Sequence, residues 1–470
     1  MIKVFSLLQS FSKSEQHWFE KFLKSPVFNK NQEVEALYSK FKGFIKRKKP
    51  GDLSGKFLQK HYPELDSSSP HFHHVCNYLQ DRAEVFLAWS SWNADPQAPQ
   101  FSLLKAYRIR RDESGFNKAL VRAEQLLEDS TLRNAEFYRK KYRLALENYE
   151  FKLGSGKMES TELQSISDWH DLGFIAEKLK NACILMSRQR LDPNSFETGL
   201  LNFIVRYVEQ NPSLLEHPVI AVYNFGFKTI AEPESDEHFF SLKKVLNQSE
   251  NLFEPNELRD IYLLAINFCV HRINLRHQQF LQEVFDLYKS GLAVGVFLEY
   301  GQLSRFTYTN IALAGLRLRE FEWTKDFLNR YKDKLPETQR QGAYAFNLAK
   351  YHLEMGDYAS SMTLLQEIDT DVVVLNLTAK AMLIRIYTET GASNALDSLL
   401  SSLKTYLRRK RQLSAQQRAA YQNLIRFMHK YQGLILGDKA SRDKLKQEIA
   451  ACELLAEKDW LLKLLEGHSR

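Results

Sequence analysis

The scarcity of glycine and proline is the feature that most restricts the fold of this chain. The sequence holds 19 glycines and 12 prolines among 470 residues, against an average usage of about 12% for the two types together. Because these residues form most turns and interrupt helices, few positions remain for the turns of a sheet-rich fold. Apolar residues make up 44% of the chain, enough for an extensive core. The composition predicts an all-α fold.

Helix-start signals support this fold class. Three capping boxes, in which a serine stands three positions before a glutamate or glutamine, begin at Ser12, Ser213 and Ser414. Prolines stand where helices begin or have just ended, and Pro218 is the main candidate exception because it falls in the first turn expected after Ser213. The best β-like run, residues 371–375, is too short and isolated to predict a sheet.

Polar breaks and a repeated pattern divide the chain into three predicted regions. The stretch 93–100 carries two prolines after an aromatic-rich segment and ends a helical head at residues 1–95. Beyond a second break at 154–160, helical hairpins recur with a period of roughly 35 to 45 residues. We therefore expect an α-solenoid with a head at 1–95, an irregular helical-hairpin region at 96–300, and a regular repeat section with two capping helices at 301–470.

The repeat is clearest over three consecutive units, each with one residue before a turn, one in the turn and one after it. These residues are Ala312, Arg319 and Thr324 in the first unit, Ala349, Gly356 and Ser361 in the second, and Ile384, Gly391 and Leu396 in the third. The pattern resembles tetratricopeptide repeats over about 305–410, in which two helices approach closely and stack on the next pair. Arg319 replaces the turn glycine, and Ile384 and Leu396 are large where small residues are usual, so the repeat is degenerate.

The resemblance implies a partner-binding face. In tetratricopeptide stacks the first helix of each pair lines the concave surface, which here would carry Phe306, Leu313, Arg317, Phe346, Lys350, Leu353 and Arg385. Arg317, Lys350 and Arg385 would form a positive strip, with Phe306 and Phe346 as apolar anchors, and such a strip suits an acidic segment or a terminal carboxylate. Glu354 and Glu389 are expected nearby and offer the alternative that the cations are simply paired.

Two further expectations concern the helices around these features. Tyr358 and Tyr387 are expected to be buried between stacked helices.

The segments 12–15, Ser-Lys-Ser-Glu, and 22–30, Phe-Leu-Lys-Ser-Pro-Val-Phe-Asn-Lys, resemble the opening of a group of long bacterial helical proteins that carries no assigned activity. In this segment Phe28 is expected to pack back onto the second helix, and either Asn29 or Asn31 to cap the third.

Signals for metal, phosphate and catalysis are weak. Residues 154–157, Gly-Ser-Gly-Lys, lack the first glycine and the final hydroxyl of a phosphate loop and predict an ordinary inter-helix loop. The densest set of metal-ligand residue types comprises His71, His73, His74 and Cys76. Because a metal needs three or four converging ligands, we expect instead that Phe72 and Val75 or Cys76 pack inward, and we leave a metal role open. No cofactor and no catalytic residues are predicted.

The charge balance permits nucleic acid as a partner without requiring it. Lys and Arg number 65 against 57 Asp and Glu, a net charge of +8. The basic clusters comprise Lys40, Lys42, 46–49, Lys105, Arg108, 110–111, 139–141 and 408–411, with Tyr107, Tyr138 and Tyr142 available for stacking on bases. If these residues align on one face, they would bind successive phosphates of a nucleic-acid backbone. Otherwise they form a solvated surface. The run 46–49 is expected to be an exposed helix end.

The cellular setting follows from cysteines and hydropathy. Cys76, Cys183, Cys269 and Cys452 lie far apart, which suggests neither a disulfide framework nor a zinc ribbon and favours a reducing compartment. No run approaches the ~18 apolar residues of a membrane span, so we expect a cytoplasmic protein without membrane contact.

The sequence thus predicts a non-enzymatic protein–protein interaction scaffold that binds a peptide or partner protein on a concave helical surface. The alternatives are a nucleic-acid-associated regulator that uses basic patches of the N-terminal region and, third, a helical enzyme with a dispersed site. The partner's identity and the oligomeric state are left open.

Overall fold

The structure is a computed structural model that describes residues 3–46, 69–155, 161–189, 196–366, 373–410, 413–435 and 438–467. These residues are almost entirely α-helical, with a single two-stranded antiparallel pair, so the all-α prediction is confirmed. No helix in the described ranges is long and apolar enough to cross a membrane. The chain separates into two compact units, Met1–Lys178 and Leu179–Arg470. The three predicted regions remain a prediction.

The first unit contains seven complete helices and the start of an eighth among its described residues. They are α1 (Lys3–Ser10), α2 (Lys13–Lys24), α3 (Gln32–Lys46), α4 (Pro70–Ala94), α5 (Ala98–Arg110), α6 (Glu113–Glu128), α7 (Ala135–Ser155) and α8 (Thr161–Gln189), which continues into the second unit. Helices α1 to α4 share one hydrophobic core, formed by residues between Val4 and Phe86. The head predicted at 1–95 therefore has a core of its own.

The turn after α2 forms as its sequence predicts. The Phe28 ring stacks on Phe22 with the ring centroids 4.3 Å apart. Asn31 Oδ1 accepts a hydrogen bond of 2.9 Å from the backbone N–H of Glu33, so Asn31 is the residue that caps α3. Asn29 instead donates to the carbonyl oxygens of Leu23 and Asn31 and holds the turn closed.

Among its described residues, the second unit continues from α8 with fourteen further α-helices and the strand pair. The helices are α9 (Leu201–Gln210), α10 (Pro218–Ala231), α11 (Asp236–Ser249), α12 (Pro255–Asn274), α13 (Phe280–Ala293), α14 (Arg305–Arg317), α15 (Phe321–Tyr331), α16 (Glu337–Glu354), α17 (Tyr358–Gln366), α18 (Val373–Glu389), α19 (Ser393–Arg409), α20 (Ala415–Gln432), α21 (Lys439–Ala451) and α22 (Lys458–Gly467). Strands β1 (Leu298–Glu299) and β2 (Gln302–Leu303) precede α14. Short 3₁₀-helices cover Pro212–Glu216, Glu250–Leu252 and Lys332–Lys334.

Two of the three predicted capping boxes are confirmed and one is wrong. Ser12 and Ser414 each accept a hydrogen bond from the backbone three residues on, and Glu15 and Gln417 complete the boxes. Ser213 instead lies within the 3₁₀-helix Pro212–Glu216, and the next α-helix begins at Pro218. Because proline has no N–H to donate, Pro218 ends any helix started at Ser213 and begins a new one.

The three predicted repeat turns share one backbone conformation. Arg319, Gly356 and Gly391 have φ angles of 60°, 79° and 71°, all in the left-handed region. The N–H of the residue after each of them donates to the carbonyl five residues back, as from Asp357 to His352 at 2.9 Å, which completes a helix C-terminal capping motif. The paired helices α14 and α15, α16 and α17, and α18 and α19 contact each other. The first helices also adjoin, since α16 contacts both α14 and α18.

The residues on either side of these turns pack the hairpins. Those before the turns (Ala312, Ala349, Ile384) and those after them (Thr324, Ser361, Leu396) are all buried. The Ser361 hydroxyl donates to the Ala349 carbonyl oxygen at 2.8 Å, which joins the two helices of its pair directly.

Two expectations for this region need correction. Tyr358 and Tyr387 are only partly buried, because each stands at a helix end beside a hairpin turn and has fewer neighbours on that side. Three helices rather than two follow α19, since the chain turns after Cys452 and begins α22 at Lys458.

Candidate functional site

A cavity of about 1000 Å³ lies along the first helices of the three repeat pairs, within the second unit. Five of the seven residues predicted for the partner-binding face line it, namely Leu313, Arg317, Lys350, Leu353 and Arg385. They come together because α14, α16 and α18 adjoin and each presents the same side to the cavity. We call Arg317, Lys350 and Arg385 the cationic strip.

The two phenylalanines predicted as anchors lie elsewhere. Phe306 is 68% exposed and is not among the residues that line the cavity; the Arg305 guanidinium stands 4.7 Å from its ring centroid. Phe346 is buried in a core cluster with Ala349 and Leu365, since it faces α18. This burial corrects the expectation of an exposed anchor at Phe346. Met382, Leu316 and the partly buried Leu313 supply the apolar part of the lining instead.

The cationic strip is only partly neutralised. Arg385 Nη1 lies 2.7 Å from Glu354 Oε1, so the pairing left open by the sequence occurs for this residue. Arg385 Nε is buried and has no hydrogen-bond partner among the described residues. Arg317 and Lys350 have neither a hydrogen bond nor an ion pair with any described residue. Glu389 accepts a hydrogen bond of 2.9 Å from Trp460 Nε1 and does not pair with the strip.

Lys350 is the most perturbed cation of the strip. Burial lowers the pKa of its ammonium below the ordinary lysine value, and the Arg385 and Arg317 guanidinium groups act in the same direction. Glu457 and Glu354 oppose the shift without cancelling it. The loss of hydration and the two nearby positive charges both disfavour the protonated form. An anion that enters the cavity beside Lys350 therefore stabilises its ammonium group.

The second wall of the cavity was missed by sequence reasoning. It is formed by the segment 457–463, which contributes Glu457, Asp459 and Trp460. Trp460 is 8% exposed and packs with the C-terminal core. The backbone just before the wall is fixed to α20, where Asn423 Nδ2 donates to the Leu454 carbonyl at 2.7 Å. Trp460 and its partner Glu389 are 71 residues apart in the chain, and no local pattern signals such a contact.

The basic residues proposed for nucleic-acid binding in the first unit are mostly paired. Arg108 lies 2.8 Å from Glu147 and 2.9 Å from Glu150. Arg139, Lys140 and Lys141 pair with Glu136, Asp95 and Glu128 respectively. Such pairing lowers the positive potential that phosphate binding requires.

The aromatic residues proposed for base stacking are also engaged. Tyr138 is buried, the Tyr107 ring packs against Gly115, and the Tyr142 ring lies 4.9 Å from that of His170. The expected exposed helix end at 46–49 lies outside the described residues apart from Lys46. The nucleic-acid alternative stays a prediction.

The histidine-rich start of α4 packs as expected. Phe72, Val75 and Cys76 are buried, while His71 points outward and lies 3.3 Å from Glu33. Burial raises the pKa of the Cys76 thiol to about 12, which keeps it protonated. Within the described ranges, no group of three or more His, Cys, Asp or Glu side chains is placed to hold a metal ion. Residues 156–160, which complete the phosphate-loop-like stretch, lie outside those ranges.

Comparison with family models, with curated proteins and with solved structures gives no match. The chemistry of the cavity is therefore the basis on which a function is assigned.

Proposed function

We propose that this protein is a non-enzymatic interaction scaffold that binds a peptide segment of a partner protein in the cavity along α14, α16 and α18. The observation that carries this proposal is the cationic strip, in which Arg317 and Lys350 lack partners among the described residues and Arg385 retains a buried, unbonded Nε. Charged groups left in this state are stabilised by a ligand that supplies the missing acceptors.

The proposal includes an α-solenoid of tetratricopeptide-like pairs over about 305–410. It is supported by the three left-handed turn residues, by the buried small residues that pack two of the hairpins, and by the contacts between successive first helices. In such a stack the first helices line a concave surface on which an extended or helical peptide lies.

The lining indicates the chemistry of the peptide. The partly buried Leu313 offers an apolar contact beside the cations, and guanidinium groups bind carboxylates with two parallel hydrogen bonds. A peptide with acidic side chains and at least one apolar side chain fits this surface. Glu457 and Asp459 also line the cavity and repel acidic residues near them, so we expect the acidic side chains of the peptide to face α14, α16 and α18.

The experiment compares two variants that lose the same charge. The first carries Arg317→Ala, Lys350→Ala and Arg385→Ala, and the second carries Lys325→Ala, Arg330→Ala and Lys404→Ala at exposed positions on α15 and α19. Each tagged protein is used for affinity isolation at moderate salt after circular dichroism confirms its helical content. We expect the partner to be retained by the wild type and the control and to bind the cavity variant at least about tenfold more weakly, which corresponds to ~1.4 kcal/mol.

Equal retention of the partner by both folded variants would remove the cavity as the binding surface. Loss of the partner in the control variant alone would place the interface on the second helices of the pairs.

A further inference from the structure

Lys350 combines three features that rarely occur together at a lysine. It lines a cavity of about 1000 Å³, it is partly buried, and it has no hydrogen bond or ion pair with any described residue. By contrast, Lys180 pairs with Glu257 at 2.9 Å and Lys228 with Glu209 at 2.6 Å in the same unit. An amine in this state is reachable by a ligand and is not held by a carboxylate.

The surroundings of Lys350 lower the pKa of its ammonium group. Burial removes part of the hydration of the ammonium and lowers its pKa, and repulsion from Arg385 and Arg317 acts in the same direction. Glu354 is engaged by Arg385, and Glu457 faces the site from the second wall together with Asp459 and Lys463. A lysine that is desolvated and placed beside other cations is the arrangement that activates an amine as a nucleophile.

We propose that Lys350 is a covalent attachment site for small carbonyl compounds that carry an anionic group. The Nζ lone pair attacks the carbonyl carbon, the π electrons of the C=O bond pass to the oxygen, and one proton moves from the nitrogen to that oxygen to give a carbinolamine. Loss of water then forms the imine, so one amine and one carbonyl compound give one imine and one water. Neither oxidant nor reductant is consumed, and hydrolysis reverses the attachment.

The cavity also specifies the anionic group. Arg317, Arg319 and Arg385 line the same space as Lys350 and can bind a carboxylate or phosphate on the carbonyl compound. Glu457 is the carboxylate placed to take and return the protons that the dehydration of the carbinolamine requires. The attachment does not depend on partner binding, and it requires no turnover.

The test uses two aldehydes that differ by one charge, 4-carboxybenzaldehyde and benzaldehyde, each with cyanoborohydride to reduce the imine to a stable amine. Peptide mass spectrometry then gives the labelling rate of each lysine in the full-length protein. We expect 4-carboxybenzaldehyde to label Lys350 at least about tenfold faster than the exposed Lys325 and Lys404. Because the neutral amine reacts and the pKa of Lys350 is lowered, the rate at Lys350 should rise at lower pH than the rates at Lys325 and Lys404.

Two variants complete the test. Lys350→Arg should remove the fast label and leave the rates at Lys325 and Lys404 unchanged. Arg317→Gln with Arg385→Gln should remove the preference for the carboxylated aldehyde over benzaldehyde. Labelling of Lys350 no faster than that of Lys325 would overturn the proposal, and so would equal rates with the two aldehydes in the wild type.

Discussion

Position 319 shows most simply how single residues shape the repeat section. Arg319 adopts a φ of 60°, the conformation that Gly356 and Gly391 adopt in the next two turns. Residues with a Cβ reach this region at a cost of roughly 1–2 kcal/mol, which glycine avoids. The first turn thus forms against the preference of its central residue, held by the packing of α14 on α15.

Substitutions at the turn positions should change stability in opposite directions. We expect Arg319→Gly to raise the free energy of unfolding by about 0.5–1 kcal/mol, because glycine's greater freedom in the unfolded chain offsets part of the gain. Gly356→Ala should lower it by about 1 kcal/mol. Denaturant unfolding followed by circular dichroism measures both.

The matched control for these substitutions is Gly342→Ala. Gly342 lies inside α16 with no heavy atom within 4 Å of an added Cβ, so alanine there should stabilise by roughly 0.5–1 kcal/mol through its helix propensity. A loss of stability at both Gly342 and Gly356 would show that the left-handed turn is not the cause.

At the same scale, the sequence could predict which residues share a helix face but not how deeply each is buried. The register puts Leu313, Arg317, Lys350, Leu353 and Arg385 on one side of their helices, and all five line the cavity, because spacing along a helix fixes direction. Phe346 lies one helical turn before Lys350, and the two side chains leave α16 in nearly the same direction. Phe346 is nevertheless buried in the core. The difference arises because Phe346 packs in one core cluster with Met382 and Ile386 of α18. The sequence of α16 alone does not predict this packing.

At the scale of helices, the capping boxes show that the same local pattern caps a helix only where the neighbouring residues allow one. Ser12, Ser213 and Ser414 carry the same pattern, and only Ser12 and Ser414 cap a helix. The pattern fails at Ser213 because Pro212 and Pro218 bracket it and divide the segment into a 3₁₀-helix and a new α-helix.

Removing each serine hydroxyl should reveal this difference. We expect Ser12→Ala and Ser414→Ala each to lower the free energy of unfolding by about 1 kcal/mol, since each leaves a backbone N–H of the first turn without its acceptor. Ser213→Ala should change it by less than about 0.5 kcal/mol, as for an ordinary exposed position. Thermal unfolding of the three variants gives the comparison, and a destabilisation at Ser213 equal to that at Ser12 would contradict the observed helix boundaries.

The strand pair shows what sequence patterns miss at this scale. Tyr300 and Gly301 have φ angles of 50° and 77° and connect Leu298–Glu299 to Gln302–Leu303. Two left-handed residues in succession are typical of a tight hairpin turn, for which asparagine–glycine is the usual signal. Tyrosine–glycine gives no such signal, and the two-residue strands are too short for an alternating pattern.

At the scale of the whole molecule, the net charge does not predict where unpaired charged side chains lie. The net charge of +8 could have indicated a phosphate-binding face in the first unit, yet several of the cations described there are paired with carboxylates, as Arg108 is with Glu147. The cavity of the second unit brings together Arg317 and Lys350, which have no ion pair with any described residue. Net charge counts residues and carries no information about which of them meet after folding.

The second wall of the cavity is likewise a property of the folded chain. The segment 457–463 has the pattern of a terminal cap, because Trp460 and Leu461, together with Leu464 just after it, bury apolar surface. Glu457 and Asp459 reach the cavity only because α22 packs on the core that includes α18. This long-range packing turns an open helical face into a two-sided cleft, which the repeat register alone does not predict.

The central claim is that a partner peptide occupies this cleft, and hydrogen–deuterium exchange tests it most directly. Amide exchange is measured for the full-length protein alone and saturated with the partner retained by the wild type, since bound surfaces open less often. We predict slower exchange in α14, α16, α18 and residues 457–463, with little change in α15, α17 and α19. Protection confined to α15, α17 and α19, or to the first unit, would contradict the claim.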